Sequence, residues 1–348
     1  MSVRFNNIYK DKIKFRNMFE AYKRASKGKK QNKEVILFEL DLASNILGIL
    51  QDLYNDKYSF SNYRKFKIYD PKEREILSLP FRDRVVHQWY VEEYIKPVYK
   101  DIFIKDTYAC IDGRGLHLAI YTFKKYMQDE YKKNKDFYIL KCDIQKFFYS
   151  IDKNVLYSIL MKKYKDKRFL NFTSKIIFEN TQGDVGIPIG NYTSQYFANI
   201  YLNELDHYIK EKLKIKYYVR YMDDFLLITR NREESKKIKV IIEKFLETEL
   251  KLKLNKKTNY FPNKNGVKFC GFKIYTNKIM LANSNKKKIN NRIRKWNKEH
   301  RNKTLDLHQA AVSFQSWKGH AMHETNQITV KSAIQKCEWI YKEQSQYY

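Results

Sequence analysis

Two adjacent carboxylates, Asp223 and Asp224, lie inside the stretch Tyr217–Thr229, YYVRYMDDFLLIT, between runs of aromatic and β-branched residues. Such runs read as the two strands of a β-hairpin with the acids at its turn. Neighbouring carboxylates against a core repel each other and lose hydration, so they either shift their protonation or hold a cation. A divalent metal ion meets both costs, whereas plain turn chemistry is the competing reading of an isolated Asp-Asp pair. A second strand-like run, Phe137–Ile144 (FYILKCDI), ends in another acid, Asp143. Two strands that deliver acids to one place suit two-metal phosphoryl chemistry, in which ions roughly 3.5–4 Å apart activate the attacking oxygen and stabilise the leaving one.

The elements that must position these acids follow from the surrounding patterns. After Asp143, the segment Gln145–Asp152 leads into a helix starting near Asn154, with Asp152 as its N-cap. Residues 155–182 are helical and basic. Gly183–Asn191 is a Gly/Pro loop whose backbone can approach a nucleotide closely. From Ser194-Gln195 a helix runs to about Lys212, with Phe197, Ile200, Tyr201, Leu205 and Tyr208 on its apolar positions. Beyond the hairpin come a charged helix, Glu233–Glu249, and two stretches of strand material, KLKLNKKTNYFP and VKFCGFKIYTNKIML.

Upstream, residues 1–60 form a basic helical lead-in whose Lys/Arg density fits a solvated face and a nucleic-acid contact equally. Residues 61–80 alternate as a short strand before a Pro-punctuated turn, and Phe81-Arg82-Asp83-Arg84 opens a helix to about Tyr99. Asp112-Gly113-Arg114-Gly115 is a turn presenting Arg114 just before a helix, a place that can hold phosphate oxygens and equally an ordinary Gly turn. From Ala282 onwards the chain is helical and basic, with Lys286, Lys287, Lys288, Arg292, Arg294, Lys295, Lys298 and Arg301 crowded together. Residues 281–348 hold 13 Lys and Arg against five Asp and Glu, a surplus suited to gripping a duplex by its phosphates.

Composition points to a polyanionic partner. In 348 residues, 69 Lys and Arg face 39 Asp and Glu, a formal net charge of +30 that exceeds what solubility requires. With 29 Tyr, 22 Phe and only five Pro, the chain is a folded protein of two or three subdomains rather than a basic disordered tail. Charge meets phosphate and rings stack on bases, so nucleic acid fits better than a membrane, for which no apolar segment is long enough. The N-terminus, MSVRFNNIYKDKIK, lacks an apolar signal-peptide core. Four scattered cysteines without a CxxC suggest a reducing cytoplasm, and His320-x-x-His323 with Cys337 lacks a fourth ligand for a metal site.

Taken in order, these features resemble the successive palm motifs of a reverse transcriptase over roughly residues 80–280. They are Asp143 ending a strand, Gly186–Gln195 entering a helix, Tyr221-Met222-Asp223-Asp224, Lys256–Thr258, and Phe269-Cys270-Gly271-Phe272. The resemblance implies an α+β right-hand polymerase: a basic N-terminal helical extension (1–60), fingers (61–136 and 153–185), a palm with an antiparallel sheet (137–152 and 186–280) and a helical thumb (281–348). It implies an RNA-directed DNA polymerase, a nucleotidyltransferase that uses two Mg²⁺ ions, for which Mn²⁺ can substitute. Asp143, Asp223 and Asp224 would be the catalytic metal ligands, with the Ile144 carbonyl lending an oxygen. The primer 3′-hydroxyl would attack the α-phosphate in line and pyrophosphate would leave. For dNTP binding it implies Arg82, Arg84, Arg114, Ile189, Gly190, Gln195 and Lys257, together with Phe148 as a steric gate against the ribose 2′-hydroxyl; neighbouring Phe147 could exchange roles with it. Phe269, Cys270, Gly271 and Phe272 would form the primer grip, and Lys286, Lys287, Lys288, Arg292, Arg294 and Lys295 would bind nucleic acid.

One departure from the common pattern is informative. Many reverse transcriptases carry Gln between the Pro and Gly of the loop, whereas here the text is Pro188-Ile189-Gly190-Asn191-Tyr192-Thr193-Ser194-Gln195. That form resembles the reverse transcriptases of diversity-generating retroelements, bacterial or phage-encoded enzymes that copy a template RNA with frequent errors opposite adenines. Replacing an amide by an apolar side chain leaves shape to discriminate, a filter worth only about 1–3 kcal/mol. The resemblance implies template RNA, the RNA/cDNA duplex, dNTPs and a small basic accessory protein as partners, and a cytoplasmic location. Retron and phage-defence reverse transcriptases, some with atypical priming or template use, are the alternative.

Overall fold

The computed structural model describes residues 5–69, 73–179 and 183–341. The chain is α+β and forms two compact units. One comprises Met1–Ile111, Asp143–Lys214 and Val240–Lys256; the other comprises Asp112–Cys142, Ile215–Lys239 and Lys257–Tyr348.

The first unit opens with helices α1 (Tyr9–Lys12), α2 (Phe15–Ser26), α3 (Lys33–Leu40) and α4 (Leu42–Tyr54). Asn32 caps α3 by accepting from the Glu34 N–H. Residues 61–80 are two strands rather than one: β1 (Arg64–Ile68) pairs antiparallel with β2 (Arg74–Ser78), Phe66 opposite Ile76. The Pro71 part of the expected turn lies outside the described residues. Helix α5 (Phe81–Tyr90) passes through a π-helical turn at Val91–Ile95 into α6 (Lys96–Tyr99).

The core of this unit is aromatic. Tyr9, Tyr58, Trp89, Tyr90, Tyr94 and Tyr164 are buried with Phe169 and Phe172, and the Tyr90 and Phe169 rings stack 5.5 Å apart. Each buried hydroxyl needs a partner: Tyr58 donates to Asp83 Oδ1 (2.6 Å), Tyr94 to the Tyr9 carbonyl and Tyr164 to the Tyr94 carbonyl. The composition suggested rings for stacking on bases, but much of this aromatic content serves as core. A tyrosine supplies area at one end and a hydrogen bond at the other.

The second unit holds α7 (Leu116–Tyr131) and a four-stranded sheet. The sheet is built from β3 (Tyr138–Asp143), β4 (Tyr218–Tyr221), β5 (Asp224–Thr229) and β6 (Asn259–Pro262), in the order β4-β5-β3-β6. Strands β4 and β5 pair antiparallel, as do β3 and β6. A separate sheet joins β7 (Val267–Phe269), β8 (Phe272–Ile274) and β9 (Ile279–Leu281). Helices α8 (Phe147–Ser150), α9 (Lys153–Met161), α10 (Lys167–Phe178) and α11 (Tyr192–His207) belong to the first unit, and α12 (Arg232–Leu250) bears residues of both.

The C-terminal helices are α13 (Asn283–Arg301), α14 (Leu307–Ala321), α15 (Ile328–Lys336) and α16 (Glu338–Tyr341). Ile289, Ile293 and Trp296 on α13 meet Phe314, Cys337 and Trp339 in a small core. Their spacing of four and three residues defines one buried stripe, which leaves Lys287, Lys288, Arg292, Arg294 and Lys295 exposed. Among the described residues no helix is long and apolar enough to cross a membrane.

Candidate active site

The β4–β5 hairpin is closed by a two-residue turn. Tyr221 and Asp224 are opposite partners, so Met222 and Asp223 are the turn and Asp224 is already the first strand residue. Met222 has φ +55°, a left-handed setting that costs a side-chain-bearing residue about 1–3 kcal/mol and clusters at functional sites. Arg220, fully buried on β4, donates from Nη1 to the Met222 carbonyl at 3.1 Å and braces the turn from inside. Both acids are half-buried. Lys141 on β3 donates to Asp224 Oδ2 at 2.9 Å and to the Lys268 carbonyl at 2.8 Å.

Asp143 is the last residue of β3, the strand next to β5 in the sheet. Its carbonyl accepts the Asn255 N–H (2.7 Å), the Gln145 N–H reaches the Lys253 carbonyl (2.9 Å), and Ile144 bridges to Leu254, so the backbone at the acid is pinned. Among the described residues no group of three or more His, Cys, Asp or Glu side chains is gathered as a metal site.

The Gly/Pro loop is tied to the segment after β3. The Ile187 N–H donates to the Phe148 carbonyl and the Gly186 N–H to the Ile151 carbonyl, both at 2.8 Å, while Asp152 caps α9 through the Val155 N–H. Phe147 is buried in the core and Phe148 is half-buried. On the other side the Leu77 N–H donates to the Ile189 carbonyl at 3.1 Å. Gly190 has φ +121°, and a Cβ there would stand 3.1 Å from Ile76 Cγ2 and 3.3 Å from the Leu77 carbonyl, so any other residue would be strained where the loop lies against β2. The loop and the β1–β2 hairpin enclose a groove of about 420 Å³ lined by Tyr63, Lys65, Leu77, Tyr149 and Ile189 among others. Phe148 does not line it, and neighbouring Tyr149 does. Burial pushes the Tyr63 hydroxyl up to about 12. Gln195 is exposed and accepts from Cys110 Sγ.

The remaining basic residues divide by partner. Arg82 is paired with Asp52 (2.5 Å) over the Tyr58 ring, and Arg84 with Glu34 (2.7 Å), so helices α4 and α3 fix both guanidinium groups. Arg114 is half-buried in the turn before α7, and Lys257 is exposed in the link before β6. Lys286 differs from the neighbouring lysines of α13 in bonding the buried Glu324 carboxylate at 3.1 Å.

The Phe269–Phe272 segment is a tight hairpin between β7 and β8 in which both phenylalanines are core. The turn residues Cys270 and Gly271 have φ +47° and +85°, which leaves backbone as the surface on offer. Asn285 Nδ2 donates to the Gly271 carbonyl at 3.1 Å. Burial, reinforced by Asp224, pushes the Cys270 thiol up.

His320 and His323 do not meet Cys337, which lies in the small helical core; they pack instead against His117, whose ring stacks 3.5 Å from that of His323. Three contributors escaped the sequence reading: Arg220, His117 and Lys141. Only Lys141 left a local signal, since it stands two residues before Asp143 and so on the same face of β3.

The profile of the family described as reverse transcriptase (RNA-dependent DNA polymerase) matches residues 70–274. Protein YkfC of Escherichia coli (strain K12) is 24% identical over 252 residues, which cover 60% of this chain and 66% of that protein. The putative COX1/OXI3 intron 2 protein of Saccharomyces cerevisiae is 26% identical over 178 residues, 47% of this chain and 20% of that one. The match thus spans just under two thirds of the first of these relatives and a fifth of the second. Among solved structures, apo telomerase from Candida tropicalis superposes with a TM-score of 0.46 at 17% identity, covering 64% of this chain and 55% of that one. With 205 of its 348 residues inside the family profile, this chain belongs to the reverse transcriptase (RNA-dependent DNA polymerase) family.

Proposed function

We propose that the chain is an RNA-directed DNA polymerase that extends a primer 3′ end by two-metal nucleotidyl transfer, with Asp143, Asp223 and Asp224 as the carboxylates that hold the ions. The observation that carries this reading is the braced hairpin with one acid in its turn and a second opening the next strand, beside a strand that ends on a third. The donor chemistry fits: carboxylates are the hard oxygen ligands Mg²⁺ takes, and Asp224 already holds a cation, the Lys141 ammonium. Bound ions supply charge neutralisation at the triphosphate and at the attacking hydroxyl.

The chain's own residues do the rest. Arg114 and Lys257 take triphosphate charge, and Arg82 and Arg84, held by Asp52 and Glu34, present fixed guanidinium edges. Phe148, its carbonyl fixed by Ile187, faces the sugar, while Ile189 and Gly190 face the nascent pair and Gln195 stands at the start of the helix behind them. The Phe269–Phe272 hairpin offers backbone to the primer, and Lys287, Lys288, Arg292, Arg294 and Lys295 meet duplex phosphates, with Lys286 anchoring their helix. In this reading residues 1–60 are an extension, 61–136 and 153–185 the fingers, 137–152 and 186–280 the palm and 281–348 the thumb.

The finer proposal is an enzyme of a diversity-generating retroelement, cytoplasmic in a bacterium, making adenine-mutagenic cDNA with a small basic accessory protein. Ile189 supports it, because an apolar side chain in the loop groove has no amide to test the base pair. The test supplies an RNA template, a primer, dNTPs and Mg²⁺. The reading requires cDNA complementary to the RNA, and product unrelated to it would contradict the reading. Substitutions should concentrate opposite adenine and fall in Ile189→Gln; an even spectrum, unchanged by that variant, would remove the finer proposal.

A further inference from the structure

Lys141 ties the acid hairpin to the β7–β8 hairpin through a single group. Its ammonium, on β3, donates at 2.9 Å to Asp224 Oδ2 and at 2.8 Å to the Lys268 carbonyl. Lys268 precedes Phe269, whose strand partner is Phe272 across the Cys270-Gly271 turn. Both partners of the ion pair are about three-quarters covered, Lys141 with 25% and Asp224 with 28% of their side chains exposed, so solvent screens the pair only in part. A cation so placed answers the charge that a divalent ion would otherwise answer. Because Lys141 is two residues from Asp143 on one strand, it stays on that face of the sheet whether or not it bonds Asp224.

We propose that Lys141 is a positioning residue that acts as a built-in counter-ion for Asp224, competing with the divalent metal for that carboxylate and holding the acid hairpin against the β7–β8 hairpin until the metal arrives. The inference rests on the reading of Asp224 as a metal ligand. Its consequence is a site that resists idle metal loading. Removing the Lys141 charge makes the carboxylates more attractive to a divalent ion, whereas a merely structural lysine would weaken the site or leave it unchanged when lost.

The test measures Mn²⁺ binding to the full chain, without primer, template or dNTP, from the free Mn²⁺ signal in electron paramagnetic resonance. Lys141→Met should bind Mn²⁺ about tenfold more tightly than the wild type, the size of one partly screened unit charge. Lys141→Gln, which keeps a donor for the Lys268 carbonyl, should tighten binding equally, and Lys141→Arg should leave it within twofold of wild type. Circular dichroism and thermal melts establish that each variant is folded, and the Gln and Arg variants keep the test decisive if Met disturbs the strand. Asp224→Asn separates the two levels of the argument. If it loses Mn²⁺ while Lys141→Met and Lys141→Gln bind as wild type or more weakly, the counter-ion role is overturned and the metal reading stands. If Asp224→Asn binds as wild type, both are overturned.

Discussion

Gly190→Ala isolates the contact that seats the loop on β2. Gly190 has φ +121°, where an alanine is strained by about 1 kcal/mol or more. Its new methyl would also lie 3.1 Å from Ile76 Cγ2 and 3.3 Å from the Leu77 carbonyl. The Ile76 side chain can yield, but Leu77 is backbone, and its own N–H is bonded to the Ile189 carbonyl. Pushing it away weakens that bond, worth about 1 kcal/mol. The substitution should therefore cost about 2–3 kcal/mol. Gly28→Ala is the matched control: its φ of +71° carries the same kind of backbone cost, but nothing lies within 4 Å of the added methyl. It should cost about 1 kcal/mol. Urea titrations of both variants read the difference, and primer extension reads its functional side. Displacement of the loop that lines the groove should raise the KM for dNTP in Gly190→Ala and leave Gly28→Ala as wild type. Equal stabilities and equal KM values for the two variants would refute the reasoning.

Two further predictions concern the buried groups. Glu324, 5% exposed, accepts from the Leu281 and Thr329 N–H groups and from Lys286. Glu324→Ala should lower stability by about 2–3 kcal/mol in chemical denaturation, since a buried donor, the Leu281 N–H, and a half-buried one, the Thr329 N–H, lose their partner; a loss below about 1 kcal/mol would contradict the packing described. The bonds from Thr329 and Lys286 outweigh burial and hold its carboxyl below the usual range, so its contribution is present above the normal glutamate pKa and fades as pH falls through the lowered one. His87 is buried against Thr193, and burial lowers its pKa to about 3. The neutral ring is thus favoured in the fold, and stability falls as pH drops below about 6.5 toward the folded value. Between pH 7 and 4.5 this one group should contribute about 2–3 kcal/mol of acid destabilisation, absent in His87→Gln. Parallel acid dependence in variant and wild type would remove that assignment.

Much of the site was legible because its signals are local. The strand ending in Asp143, the acid hairpin, the Gly/Pro loop and the Asp152 cap each occupy a few consecutive residues whose types dictate local geometry. The second strand of the 61–80 segment was missed because a hairpin and a single alternating strand share one period. What set the electrostatics of the site was not local. Lys141 meets Asp224 across 83 residues and Lys268 across 127, and no periodicity records such a meeting. Arg82 and Arg84 stand in a basic segment, and the acids 30 and 50 residues upstream that hold them are equally invisible to local pattern. The tyrosines show a different limit: composition counts rings but does not tell a stacking surface from a core, and here Tyr90, Tyr94 and Tyr164 are core.

The central claim is that Asp223 and Asp224 serve nucleotidyl transfer, and primer extension on an RNA template with Mg²⁺ and dNTPs tests it most directly. The double variant Asp223→Asn, Asp224→Asn should fold as the wild type does and yield no extended primer under conditions where the wild type copies the template. Equal extension by the two proteins would contradict the account.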